Sequence, residues 1–186
     1  MDKHNLESQP ETYYLSVYKT YHPHFKELEL YGGQYPGSLI NSASEHILKV
    51  NELMNLGITT TICLIEESEQ KFFYPYEEEV RKNQSTFKRW HYPIVDMSVP
   101  SKAFMQQILD TIDRLVIQHE KIYIHCWAGH GRTGTVMGCW LKRHGFDNKT
   151  VYQKLMRWRI QTLFGKISSP QVQEQFMMIN HWKIKE

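Results

Sequence analysis

The feature that most restricts the fold is the sequence IYIHCWAGHGRTGT at residues 122–135. Its β-branched and aromatic start predicts a short buried strand. The segment TGTVMGCWLKRHG, which starts at Thr133, predicts a helix that ends on Gly145. Between strand and helix lies a glycine-rich loop that begins at Cys126 and ends at Arg132. This order of strand, loop and helix is an anion-binding device.

The loop has the chemistry of a phosphate site that carries its own nucleophile. Ala128, Gly129 and Gly131 allow backbone N–H groups to turn inward, and the following helix adds its unpaired N–H groups and positive dipole end. The guanidinium of Arg132 can bind two phosphate oxygens at once, which a lysine ammonium cannot do in the same geometry. The same groups favour a thiolate, so Cys126 is predicted to be the nucleophile.

Composition restricts the class of protein. A chain of 186 residues, 41% hydrophobic, is long enough for one core and predicts one domain. Its 22 basic and 20 acidic side chains give a formal charge of +2, so no nucleic-acid partner is expected. No apolar run suits a signal peptide or a membrane helix, so we expect no membrane insertion and a cytoplasmic location, with secretion by a signal-less route left open.

The three cysteines are an odd number without metal-ligand spacing, which argues against a disulfide framework or a zinc site. We expect no bound metal and no cofactor. Cys63 lies in an apolar strand and Cys139 in the helix after the loop, without a basic or glycine-rich context. Both are predicted to be inert packing residues.

Alternating strand and helix patterns predict the α/β class, with a central, mainly parallel twisted sheet of about four to five strands flanked by helices. The anion loop lies between a buried strand and a helix. Residues 1–24 are predicted to be an N-terminal arm, loosely held or a short helix, and residues 25–186 the folded domain. Strands are predicted at 58–65, 87–94 and 122–126, with two small strands around a turn in 28–40. Helices are predicted at 44–56, 103–119, 133–145, 148–160 and from Ser168 or Ser169 to about Trp182. The segment at residues 66–80 is predicted to be a loop that runs into a short helix outside the core.

The string HCWAGHGRTGT resembles the phosphate-binding loop of the protein tyrosine phosphatase superfamily. From about Leu28 to Trp182 the chain is similar to the compact bacterial-type, atypical dual-specificity phosphatases. The resemblance implies that residues 25–186 form a catalytic domain that hydrolyses phosphate monoesters through a phosphocysteine on Cys126.

The resemblance also implies roles for the residues around the nucleophile. Arg132 and the loop amides would hold the equatorial phosphate oxygens, and His125 would orient and tune the thiolate. The Thr133 hydroxyl would hydrogen-bond the sulfur and help it leave in the second step. The implied substrate-binding residues are Trp127, Ala128, Gly129, His130, Gly131 and Arg132.

Cleavage of a phosphate ester requires a proton for the departing oxygen, and HYPIVDMSVPS at residues 91–101 contains a candidate donor. Pro93 and Pro100 bracket Asp96, in a loop between a strand and a long helix. In the resembled family such a loop carries the general acid, which later acts as base toward water. A turn or capping role for Asp96 is the alternative. Asp110 and Asp113 are predicted to face solvent from the next helix.

Other candidates leave alternatives open. Tyr35, Glu66 or Glu67 would touch substrate or brace the loop, or would be ordinary turn and surface residues. Gln175 is placed like a water-positioning glutamine of tyrosine-specific members, but a surface or core contact is favoured. Trp127 would stack on an aromatic leaving group or pack under the neighbouring helix.

The expected partner is a phosphorylated protein or a small phosphate ester, and phosphate, sulfate or vanadate-like oxyanions are expected to inhibit. We expect a monomer. Within the same mechanism, a phosphoinositide, nucleotide or sugar phosphate is the alternative substrate. Two alternatives do not use the phosphatase mechanism. One is a catalytically inactive phospho-binding module, which would normally lack Cys126, Arg132 or Asp96. The other is a rhodanese-type sulfur-transfer enzyme, which has no use for the Arg-Thr-Gly helix start.

Overall fold

A five-stranded sheet forms the centre of the molecule. The computed structural model describes residues 17–20, 27–40, 42–162 and 165–185. Its strands are β1 (Val17–Lys19), β2 (Leu30–Gly33), β3 (Thr60–Cys63), β4 (Lys88–His91) and β5 (Ile122–His125). Their order is β1-β2-β5-β3-β4; β1 is antiparallel to β2 and the other pairs are parallel. The predicted α/β class and mainly parallel sheet are confirmed.

The described residues also contain seven helices. They are α1 (Ala43–Asn55), α2 (Glu67–Gln70), α3 (Tyr76–Asn83), α4 (Lys102–Ile117), α5 (Arg132–Arg143), α6 (Asn148–Arg159) and α7 (Gln173–His181). Helix α5 packs against β2 and β5 and has α4, α6 and α7 as neighbours. In the part of the chain that the structure describes, no helix is both long and apolar enough to span a membrane.

Most of the strands and helices form where the sequence pattern predicts them. Every residue of β3 and β5 is buried, as expected for parallel strands covered on both faces. Helix α4 starts at the cap Ser101, whose Oγ accepts a hydrogen bond of 3.2 Å from the N–H of Phe104. Its apolar residues recur at helical spacing and bury one face, namely Met105, Ile108, Leu109, Ile112 and Leu115.

The segment at residues 66–80 differs from its prediction. It forms α2 and the start of α3, and Phe73, Tyr76 and Val80 lie in the core rather than outside it. Tyr76 and Val80 are four residues apart on one helix face, so they are buried together while the acids between them remain nearer to solvent. The prediction was wrong because the many acidic residues of this segment outweigh the apolar residues that form its buried face.

The last helix begins later than predicted. It starts at Gln173, with Val172 as its cap, because the two serines are used elsewhere. The Ser168 hydroxyl donates to the carbonyl of Pro170 (2.6 Å), and the Ser169 hydroxyl donates to the carbonyl of His130 (2.7 Å). The turn before α7 is therefore anchored to the anion loop.

Two predictions for the first part of the chain have partial outcomes. The segment 28–40 contains one strand, β2, and a single bridge between Leu39 and Phe73 instead of two strands. The predicted arm at residues 1–24 lies mostly outside the described residues, although its residues 17–19 form the edge strand β1.

The sheet topology brings the chemically important segments to one edge. The carboxyl ends of parallel strands face the same way, and in α/β sheets ligands bind at that edge. The segments that leave these ends are residues 34–40 after β2, 64–66 after β3, 92–101 after β4 and 126–131 after β5. The anion loop, helix α2 and the Asp96 loop therefore converge.

Candidate active site

The loop at residues 126–131 forms an anion cradle over Cys126. The thiol is buried, with 3% of the residue exposed, and Sγ accepts a hydrogen bond of 3.3 Å from the N–H of Gly129. Among the described residues, the N–H groups of Ala128, Gly131 and Arg132 find no backbone acceptor. Helix α5 begins at Arg132, so the positive end of its dipole faces the loop. These donors are arranged for a bound oxyanion.

The segment GGQYPG braces this cradle through its backbone. Gly129 has φ +80°, and a Cβ there would lie 2.3 Å from the carbonyl carbon of Gly33, so only glycine fits. The N–H of Tyr35 donates to the carbonyl of Trp127 at 2.9 Å. The Tyr35 ring itself is buried and stacks on Phe73 at 4.2 Å, so it lies in the core rather than at the rim.

Arg132 is held by three acceptors from two other segments. Its Nη1 and Nη2 donate to the Glu69 carboxylate at 2.5 and 2.8 Å, and Nη1 also donates to the carbonyl of Ile94 at 3.0 Å. The carboxylate of Asp96 lies 3.1 Å from Nη2. Arg132 is 1% exposed, and its Nε–H has no partner among the described residues. The Arg132 guanidinium is thus held in place, and its Nε–H is the donor that remains without an acceptor.

Glu69 is the functional residue that the sequence analysis missed. Burial alone would raise the pKa of Glu69, but hydrogen bonds from Arg132 and from the N–H of Glu66 (2.7 Å) hold that pKa below its usual range. The glutamates predicted from the sequence are its neighbours: Glu67 is exposed, and Glu66 accepts from the N–H of Asp96 at 3.3 Å. The missed signal is a Glu at the third position of a helix that starts just after a buried strand.

Asp96 lies beside the anion cradle. Its side chain is 59% exposed, yet it reaches Arg132, so it contacts both solvent and the anion cradle. The next residues are tied down as well, since Nε2 of Gln175 donates to the carbonyl of Ser98 at 3.1 Å. Gln175 is fully buried, in agreement with the core contact favoured for it. The Asp96 loop is therefore docked onto the cradle and onto the start of α7.

We expect Arg132→Lys to lower kcat/KM for phosphate esters by roughly 10² or more, because an ammonium cannot span both Glu69 oxygens and still fork toward an oxyanion. Arg143→Lys is the matched control: Arg143 lies on the same helix and also pairs with carboxylates, those of Asp110 and Asp113. Steady-state kinetics on both variants make the comparison. Near-normal efficiency of Arg132→Lys would show that charge alone is sufficient.

Among the described residues, the His125 ring makes no hydrogen bond to the Cys126 sulfur. Its ring is buried, with Nε2 2.9 Å from the Tyr76 hydroxyl, which lies 2.9 Å from the hydroxyl of Thr61. Its Nδ1 lies 3.3 Å from the carbonyl of Cys126. A proton on Nδ1 satisfies that carbonyl and leaves Nε2 to accept from Tyr76. The hydrogen-bonding contact of His125 with Cys126 is therefore through the backbone carbonyl.

Burial, reinforced by the nearby charge of Arg89, lowers the pKa of His125 to about 3. Below the unfolded value of about 6.5, only the unfolded chain takes up this proton, so His125 makes the unfolding free energy fall as the pH falls. Between pH 6.5 and 5, wild type should lose about 2 kcal/mol more than His125→Asn, which lacks this group. Urea unfolding at both pH values measures this. Equal losses in the two proteins would contradict a neutral, buried His125.

Thr133, in the first turn of α5, and His130, in the loop, are two further predicted site residues. The Thr133 hydroxyl is buried and has no hydrogen-bond partner among the described residues, so the implied bond to Cys126 is not made in this state. His130 is 5% exposed, and burial together with the charge of Arg159 lowers its pKa, which favours the neutral ring. Arg159 is itself buried and donates to the carbonyl of Ile167 at 3.1 Å, so it does not lie on a solvent face.

The other cysteines are packing residues, as predicted. Cys63 and Cys139 are fully buried, and burial raises the pKa of both thiols. One expectation is wrong, because Cys63 has a basic neighbour: Nη2 of Arg89 lies 3.2 Å from its sulfur. Asp113 is also not a free solvent-facing acid, since its Oδ1 accepts from the indole N–H of Trp140 at 2.8 Å.

Comparisons with known proteins agree with this geometry. A family model described as "Swiss Army Knife protein, DSP-PTPase phosphatase domain" matches residues 35–173. A putative tyrosine phosphatase of Invertebrate iridescent virus 3 is 33% identical over 99 residues, which cover 50% of this chain and 38% of the viral protein. The matched regions cover 38% to 41% of the length of three curated relatives, of which two are uncharacterised proteins of Methanocaldococcus jannaschii.

Two solved structures share the fold. Kinase-associated phosphatase, crystallised with its catalytic-site cysteine replaced by serine, has a TM-score of 0.68 at 19% identity and covers 81% of this chain and 83% of its own. The phosphatase PTPMT1 in complex with PI(5)P has a TM-score of 0.65 at 16% identity and covers 90% of this chain and 94% of its own. At these identities the likeness concerns the fold alone.

Proposed function

Because the chain belongs to the DSP-PTPase family of phosphatases, we propose that it hydrolyses phosphate monoesters through a phosphocysteine intermediate on Cys126. The proposed substrate class is phosphorylated protein, with tyrosine or dual specificity. The assignment of Cys126, Arg132 and Asp96 as catalytic residues, with His125 and Thr133 in support, is part of the same proposal.

One observation carries the proposal. The Nε–H of Arg132 is buried without a partner, whereas both of its Nη atoms are committed to Glu69 and to the Asp96 loop. Buried donors are almost always satisfied, so an orphan beside a buried thiol suggests that a ligand provides the acceptor. A phosphoryl group over Cys126 would accept from this Nε–H and from the free loop amides.

The proposed reaction has two steps. The Cys126 thiolate attacks phosphorus, an S–P bond forms, and the bond to the leaving oxygen breaks while Asp96 donates a proton to that oxygen. In the second step Asp96 accepts a proton from water, the water oxygen attacks phosphorus, and the S–P bond breaks to release phosphate and thiolate. The free hydroxyl of Thr133 would donate a hydrogen bond to the departing sulfur, which leaves as thiolate.

The contact between Asp96 and Arg132 has a consequence for binding. In this state the Asp96 carboxylate occupies a guanidinium N–H that a phosphate oxygen could use. A dianionic phosphoryl group would compete with this carboxylate and release it from Arg132. Asp96, which is exposed to solvent, would take up a proton from water and then face the leaving oxygen as the acid. Phosphate, sulfate and vanadate would enter the same cradle and inhibit.

A phosphate-release assay on a panel of esters tests the proposal. The panel contains phosphotyrosyl and phosphoseryl peptides, a nucleotide, a sugar phosphate and a phosphoinositide, the last because the PTPMT1 structure holds PI(5)P. We expect release from the peptides at the highest kcat/KM. Exclusive hydrolysis of a non-protein ester would show that phosphorylated protein is not the substrate class. Absence of phosphate release from every ester of the panel would contradict phosphatase activity.

A further inference from the structure

Two exposed aromatic rings border the phosphate loop. Trp127 follows Cys126 directly and is 39% exposed, and Phe72 is 44% exposed. Within the described ranges they are the two aromatic residues among the large apolar side chains that remain exposed. Their ring centroids lie 5.8 Å apart with an interplanar angle of 45°. We call this pair the aromatic rim. Because the two exposed rings lie next to each other and beside the proposed nucleophile, they differ from singly exposed apolar residues elsewhere on the surface.

The aromatic rim is held to the core through Trp127. The Trp127 ring meets the buried ring of Phe73 edge-on at 4.6 Å, and Phe73 stacks on Tyr35. The ammonium of Lys71 lies 5.1 Å from the centre of the Phe72 ring. Because these contacts are already made, a ligand that packs on the rim loses little side-chain entropy there.

Both rings are attached to the groups that surround the proposed phosphoryl site. Trp127 is the first loop residue after the nucleophile, and its carbonyl is held by the N–H of Tyr35. The N–H of Phe72 donates to the carbonyl of Glu69 at 3.0 Å, and Glu69 holds Arg132. The two rings are therefore joined through the backbone to the loop and to Glu69.

Apart from Lys71, whose ammonium already lies over the Phe72 ring, the border has the chemistry expected for an aromatic leaving group. Residues 127–131 contain no lysine or arginine, so the loop offers no cation to further phosphates on a substrate. His130 adds none, because burial lowers its pKa. Aromatic rings pack against one another with centroids about 4.5 to 7 Å apart, and the rim presents two such surfaces.

We propose that the aromatic rim, Phe72 with Trp127, packs on the ring of a phosphotyrosyl side chain and gives the site a preference for tyrosyl over seryl esters. This inference rests on the proposed phosphatase function. It makes Phe72, which lies outside the loop motif, a residue that determines specificity.

The test compares Phe72→Ala and Phe72→Leu with wild type on a phosphotyrosyl peptide, a phosphoseryl peptide of the same sequence and a short-chain phosphoinositide. We expect the tyrosyl-to-seryl ratio of kcat/KM to fall about tenfold in Phe72→Ala, the effect of losing one aromatic contact and its buried area. The loss should appear in KM, since the ring contacts ground state and transition state equally. Phe72→Leu, which keeps apolar bulk without the ring, should also lower the ratio, but by less.

Ile117→Ala is the matched control, because Ile117 is 74% exposed at the end of α4, away from the carboxyl edge of the sheet. It should leave the ratio unchanged. If the enzyme is active and the ratio is unchanged in both Phe72 variants, the proposed role of the aromatic rim is contradicted, whereas the proposed phosphatase function is not. A loss confined to the phosphoinositide would also overturn the role of the rim, in favour of a lipid. Wild-type inactivity on all three esters would instead contradict the proposed function, and the rim with it. Should Phe72→Ala fail to fold, Phe72→Leu decides through the same ratio.

Discussion

Cys126→Ser is expected to lower phosphate release by roughly 10⁴-fold or more, because a serine hydroxyl is a poor nucleophile without an adjacent base. Oxyanion binding should survive, since the loop amides and the guanidinium of Arg132 do not depend on the sulfur. Steady-state phosphate release measures the first effect, and titration with vanadate or phosphate measures the second. A variant within about tenfold of wild-type activity would exclude Cys126 as the required nucleophile.

Cys63→Ser provides the control for sulfur chemistry elsewhere in the chain. Cys63 is fully buried on β3, and its nearest charged partner is Arg89. A hydroxyl there is expected to alter the midpoint of unfolding more than turnover, because its role is packing. A loss of turnover equal to that of Cys126→Ser, with unchanged stability, would place a second essential thiol in the reaction.

Asp96→Asn is expected to have the second large effect, and one that depends on the substrate. An amide cannot protonate the leaving oxygen, so esters with poor leaving groups, such as alkyl or tyrosyl phosphates, should slow far more than p-nitrophenyl phosphate. A general acid contributes about 10² to 10⁴ in rate, so the gap between substrates should approach about 10².

Asp110→Asn is the matched control for Asp96→Asn, because Asp110 is similarly exposed and also pairs with an arginine, Arg143. It should reduce both classes of ester equally or not at all. Equal losses on both classes in Asp96→Asn would reduce Asp96 to a residue that only positions Arg132. The acid would then have to come from another side chain.

The sequence predicts the elements with strong local patterns. The β-branched run before Cys126 and the amphipathic pattern of α4 place their elements close to the observed bounds. These patterns succeed because one face or the whole element is buried, so the apolar spacing records the contact surface. The α/β class follows from their alternation along the chain.

What the sequence could not supply is contact between distant segments. Glu69 and Arg132 are 63 residues apart, and only the adjacency of β3 and β5 in the sheet brings them together. The later start of α7 has the same origin, because Ser169 donates to His130 across the loop instead of capping a helix. Local signals predict neither event, since propensity is decided by tertiary partners at such positions.

The most direct test of the account is to trap the intermediate. Asp96→Asn should form phosphocysteine from p-nitrophenyl phosphate, whose leaving group hardly needs an acid, but should hydrolyse it slowly because it lacks the base. Acid quenching, proteolysis and mass spectrometry would then locate the phosphoryl group, with Cys126→Ser as the blank. The account predicts one phosphoryl group on the peptide that contains Cys126. Turnover by Asp96→Asn with no phosphoryl group on that peptide, or with the group on another residue, would contradict it.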